Sequence, residues 1–105
     1  MFGLSTRILS MLNTYFEQQS DLQEVWVYGS RAMSKERPGS DIDLAIVTNA
    51  DEDLSAHIKT DLEDLPTPYT FDVTDYKRIS HLPLKEHIDR VKKPLYLRQL
   101  NASFY

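Results

Sequence analysis

The stretch "YGSRAMSKERPGSDIDLAIV", residues 28–47, decides how the chain is read. It sets a Gly-Ser pair at 29–30 and an Asp-x-Asp at 41–43 around the mouth of "DIDLAIV", a run with the make-up of a half-buried strand. Side chains alternate across a strand, so Ile42, Leu44 and Ile46 share one face and Asp41, Asp43, Ala45 and Val47 the other. Both carboxylates therefore point the same way. Two like charges one pleat apart repel, and burying them unpaired is costly, so the fold is expected to keep them only with a compensating cation.

Working outward, "EVWVY" (24–28) is a β-branched and aromatic run that stops at Gly29 and predicts a strand, with Pro38, Gly39 and Ser40 marking a loop over 31–40 after one helical turn opened by Ser30. Upstream, Leu4, Ile8, Leu12, Tyr15 and Phe16 form the stripe of an amphipathic helix over 4–19. Downstream, residues 51–65 open with an acidic turn and carry Leu54, Ile58, Leu62 and Leu65, which predicts a second helix ended by Pro66 and Pro68. "YTFDVTD" (69–75) alternates as a third strand, a helix follows from about 82 to 92, and "LYLRQ" after Pro94 reads as a short edge strand. This order predicts an α/β (α+β) sandwich: a small mixed β-sheet flanked by helices, with residues 1–105 forming a single domain.

Composition narrows the functions. A chain of 105 residues, 41% hydrophobic and 27% charged, is large enough for one modest core. It has no cysteine, which excludes disulfides and thiolate zinc sites and suggests a cytoplasmic protein. His57, His81 and His87 lack the i, i+4 spacing that would stack two ligands on a helix face. "MFGLSTRILSMLNTYF" has no basic leader or cleavage site, no segment approaches a membrane span, and the "NAS" at 101–103 is read as chance. The net charge of -4 hides a segregation: residues 40–76 hold ten acidic side chains and one basic, residues 77–98 seven basic and two acidic. No broad positive face is expected, so direct nucleic-acid binding is disfavoured.

Magnesium suits the carboxylates, being a hard cation held by one or two protein carboxylates while substrate phosphates and water complete its octahedron. Gly29 allows close backbone approach to a phosphate, and Ser30 offers a hydroxyl and an amide where a helical turn begins. Arg31, Lys35 and Arg37 on the same loop are candidates for neutralising a triphosphate. A third carboxylate would complete a two-ion site, and Asp72, mid-strand among half-buried residues, is the choice. Asp75 faces the other way by parity and is expected to cap or turn.

Gly-Ser, ten residues, then Asp-x-Asp resembles the signature of the nucleotidyltransferase superfamily related to DNA polymerase beta, and within it the minimal nucleotidyltransferase (MNT) domains, carried here by Gly29, Ser30, Asp41 and Asp43. "FDVTD", a following helix and "PLY" are similar to the way such domains end, and place Asp72 at the third carboxylate. The chain departs from the usual Gly-Ser-x-Ala-Arg-Gly: Met33 and Ser34 stand for the arginine and second glycine, which would shift phosphate binding onto Arg31.

The resemblance implies ATP as substrate, two magnesium ions on Asp41, Asp43 and Asp72, and nucleotide contacts from Gly29, Ser30 and Arg31. It also implies a hetero-oligomer with a HEPN-family toxin, to whose tyrosine AMP is transferred, the protein acting as antitoxin. Two other functions stay open: an antitoxin that neutralises its partner by binding alone, and a nucleotidyltransferase for a small molecule such as an aminoglycoside. The tail residues Leu95, Tyr96, Leu97, Leu100, Phe104 and Tyr105 are read either as core completion or as a surface for that partner.

Overall fold

In the computed structural model, which describes residues 1–98, one four-stranded sheet carries helices on both faces. Leu100, Phe104 and Tyr105 of the tail lie outside the described residues, as does Gln99 at the end of the expected strand. The first helix, α1 (Thr6–Gln18), starts where the Ser5 hydroxyl accepts from the Ile8 amide at 3.2 Å. Its stripe of Ile8, Leu12, Tyr15 and Phe16 is buried as the periodicity predicts.

Strand β1 (Leu22–Tyr28) runs antiparallel to β2 (Ile42–Thr48), and β3 (Phe71–Asp75) lies parallel to β2 on its other side. Helix α2 (Ser55–Glu63) makes the crossover that a parallel pair requires. After a 3-10 turn at Tyr76–Arg78 come α3 (Leu82–Val91) and β4 (Lys93–Leu97), which pairs antiparallel with β1 and gives the order β3-β2-β1-β4. The mixed sheet and its helices agree with the expected fold class.

Ile42, Leu44 and Ile46 face α1 and α2 in the main core together with Val25, Val27, Phe71 and Ile58. On the opposite face α3 packs Ile88 against Tyr28 and Ala45, forming a smaller second core. The alternation read in β2 therefore holds, because each face has its own cover. Among the described residues no helix is long and apolar enough to cross a membrane.

Several boundaries differ from expectation. The second helix begins only at Ser55, whose amide is capped by the Asp53 carboxylate at 2.9 Å, so the acidic cluster forms the turn before the helix and not its first turn. Strand β4 starts at Lys93 and contains Pro94. An edge strand tolerates this proline because one side of its backbone has no strand to donate to.

The candidate carboxylate site

At one end of the sheet the register brings three side chains into a row. Tyr28 of β1 pairs with Asp43 of β2, and Asp43 pairs with Asp72 of β3. Neighbouring strands lie about 4.8 Å apart, so the two carboxylates stand side by side on the α3 face. Asp41 sits just before β2, where the Thr70 hydroxyl donates to its Oδ1. Asp43 is half-buried, whereas Asp41 and Asp72 are exposed; Asp72 was expected in a more enclosed position.

The electrostatics follow from this grouping. Burial pushes the Asp43 carboxyl above the ordinary carboxylate range, and the charges of Asp72 and Asp41 push it further; His87 and Arg31 act in the opposite direction. Burial likewise raises the Tyr28 phenol, whose oxygen lies 3.4 Å from Thr74 Oγ1.

Gly29 is required twice over. Its φ of 73° belongs to the left-handed region, and a Cβ there would overlap Asp43 Oδ2 and lie 3.2 Å from Asp43 Cγ. Beyond it the chain makes a helical turn, with Met33 N donating to Gly29 O at 3.2 Å and Lys35 N to Ser30 O at 2.8 Å, as expected after Ser30. Ser34, which stands where the resembled pattern has glycine, has φ 57°.

Arg31, expected on the triphosphate, is turned inward instead. It is 3% exposed, donates from Nη1 to Phe2 O and from Nη2 to Ser40 O, both at 2.9 Å, and lies 4.9 Å from the Tyr69 ring centre. Its Nε is buried and, among the described residues, has no hydrogen-bond partner. The guanidinium thus ties the N-terminal turn to the start of β2, because two backbone carbonyls and an aromatic face compete successfully with solvent for it. Lys35 and Arg37 are exposed on the loop.

Asp75 behaves as parity predicts. It is buried, and it accepts from Lys77 N and Arg78 Nε, each at 3.2 Å, capping the 3-10 turn. Sequence reasoning missed His87, whose ring meets that of Tyr28 edge-on with centres 6.3 Å apart. Its spacing offered a signal: position 87 falls three residues after Leu84 and four before Val91, both of which pack in the second core.

Among the described residues no group of three or more histidine, aspartate or glutamate side chains is drawn together as a ready set of metal ligands. The donor set at this end of the sheet nevertheless fits a hard cation. It consists of carboxylate oxygens, and burial first, then their mutual repulsion, raises Asp43.

This arrangement can be set beside known proteins. A chain in the structure of a toxin-antitoxin with AMP-PNP aligns at TM-score 0.61 and 20% identity, covering 96% of this chain and 80% of that one. A chain in the complex of a tri-AMPylated Shewanella oneidensis HEPN toxin with an MNT antitoxin aligns at TM-score 0.67 and 16% identity, covering 96% and 79%. The toxin-antitoxin MntA-HepT gives 0.65, 16%, 95% and 79%. At these identities the likeness is one of fold. Among curated proteins none matches the chain. The family described as "Polymerase beta, Nucleotidyltransferase" matches residues 10–101, and the chain therefore belongs to the polymerase beta nucleotidyltransferase family.

Proposed function

We propose that the protein is a magnesium-dependent nucleotidyltransferase that moves AMP from ATP onto a tyrosine hydroxyl of a HEPN-type toxin and so acts as its antitoxin. The observation that carries this reading is the Asp43–Asp72 register beside Gly29. Two carboxylates kept side by side near a backbone turn with no Cβ suit a cation and a phosphate chain arriving together. The fold likeness to complexes holding AMP-PNP and an AMPylated HEPN toxin supports the choice of nucleotide and partner.

Asp41, Asp43 and Asp72 would hold the magnesium, which when bound supplies charge neutralisation for the triphosphate and makes the acceptor hydroxyl more acidic. Gly29 lets the backbone approach the phosphates, and the Ser30 hydroxyl donates to the β- or γ-phosphate. The acceptor oxygen forms a bond to the α-phosphorus as the bond to the β-phosphate oxygen breaks, pyrophosphate leaves, and the hydroxyl proton passes to solvent. Catalysis rests on positioning and charge, without a covalent enzyme intermediate. Arg31 contributes by bracing the loop between the Gly-Ser pair and Asp41.

Incubation with ATP, magnesium and the protein encoded by the neighbouring gene, followed by intact mass of both chains, tests the reading. A gain of one or more AMP units on the partner, absent with Asp43→Asn, is expected; no gain under any condition refutes transfer. One observation favours a second reading. With Arg31 turned inward and Met33 exposed on the turn, neutralisation by binding alone stands if metal-site variants still suppress the partner's toxicity.

A further inference from the structure

The carboxylate site combines several negative side chains, and Arg31, the guanidinium next to Ser30, is taken up by the carbonyls of Phe2 and Ser40. A nucleotide's phosphates would add further negative charge. A group to receive them comes from a separate element, α3. Ile88 is fully buried, and Leu84 and Val91 pack beside it, so the helix holds His87 in a fixed place on the α3 face. There the imidazole meets the Tyr28 ring at 80°. Tyr28 is the cross-strand partner of Asp43, and its hydroxyl reaches Thr74, which shares a face with Asp72. His87 thus stands against Tyr28, at the β1 end of the row Tyr28–Asp43–Asp72.

Arg90 lies one turn further on, with Nη2 3.4 Å from His87 Nδ1. A guanidinium has no acceptor, so the arginine donates, Nδ1 accepts, and the ring proton of neutral His87 resides on Nε2. The pair therefore presents an N–H donor backed by a permanent cation. We propose that His87, supported by Arg90, is a phosphate-binding side chain of the carboxylate site, donating from Nε2 to an anionic oxygen of the nucleotide. The proposal rests on the nucleotidyl-transfer reading.

Packing against Tyr28 alone would also explain a histidine here, and the test separates the two roles. Binding of magnesium-ATP and of magnesium-tripolyphosphate is measured by calorimetry with the full chain and with His87→Leu, His87→Gln and Asp43→Asn, alongside thermal melts. Leucine keeps apolar contact with the ring, and glutamine restores an N–H near the Nε2 position. The expected result is that His87→Leu weakens both ligands about tenfold at an unchanged melting temperature, while His87→Gln stays within about threefold of the parent. Unchanged binding in His87→Leu overturns the proposal, as does an equal loss in both histidine variants accompanied by a lowered melting temperature. Binding lost in Asp43→Asn but intact in His87→Leu keeps the transfer reading and discards His87. If the parent protein binds neither ligand, both fall.

Discussion

Asp43 and Asp75 stand on neighbouring strands and have opposite surroundings. Around Asp75 and along α2 the acids have partners: Asp75 meets Arg78, Tyr15 donates to Asp61 at 2.6 Å, and Glu63 accepts from Lys59 at 2.8 Å and from the Phe71 amide at 3.1 Å. The Lys59–Glu63 pair also clasps the edge of β3, since Lys59 donates to Phe71 O as well. On the α3 face Asp43 and Asp72 stand side by side, and among the described residues neither has an ion-pair partner. Paired acids hold this fold together. Under the proposed function, the acids left without a cation are where a ligand would supply one.

Breaking the unpaired side has the largest expected effect. Asp43→Asn should reduce nucleotidyl transfer at least about 100-fold, measured by partner mass gain, because it removes a charged ligand from a site that works by charge. The same change should leave the melting temperature unchanged or raised. Asp43 is held above its ordinary range, so its ionisation costs the fold stability as pH rises through that raised value, and Asn removes the cost. A large fall in melting temperature would make Asp43 a structural acid and erase the contrast.

Gly29→Ala brings strain and side-chain overlap together and should cost about 2 kcal/mol in denaturant unfolding, with transfer lost in parallel. On the paired side, Asp75→Ala should cost about 1–2 kcal/mol by the same measurement, through loss of a cap and a hydrogen bond to Arg78, while nucleotide binding persists. A smaller gain is expected from Ser34→Gly, about 0.5–1 kcal/mol, since glycine adopts the positive φ without strain. Smallest is the effect of pH through Glu63. Its carboxyl is held low, by Lys59 first and then by the Phe71 amide, so it stabilises the fold above its unfolded value of 4.5, and that contribution is lost as pH falls through the lowered folded value. Melting curves of Glu63→Gln should therefore decline less steeply on the acid side than those of the parent.

The sites read most directly were those fixed by local pattern. The α1 stripe, the alternation of β2 and the turn after Ser30 depend on residues a few positions apart, and each is found where periodicity and turn chemistry place it. The basic C-terminal third was less transparent. It reads as a charged surface, yet Arg98 donates to the carbonyls of Phe16, Glu17, Gln19 and Leu22, closing the end of α1, and Lys92 lies over the Trp26 and Tyr76 rings. Composition reports that a cation is present but not which carbonyls await it across the fold.

From the sequence alone came the essential chemistry: two carboxylates on one face of a strand, a glycine with a turn ahead of them, and an apolar reverse side that commits the strand to a core. Those are consequences of a backbone period of two and of backbone sterics. The sequence named Asp72 as the further acid, and the tertiary structure sets it in register with Asp43; only the tertiary structure decided that Arg31 turns inward and that His87 arrives over Tyr28 from α3. The physical reason is range. The crossover through α2 sets the β2–β3 register and the second core sets the seat of α3, and both join residues dozens of positions apart that no local pattern relates.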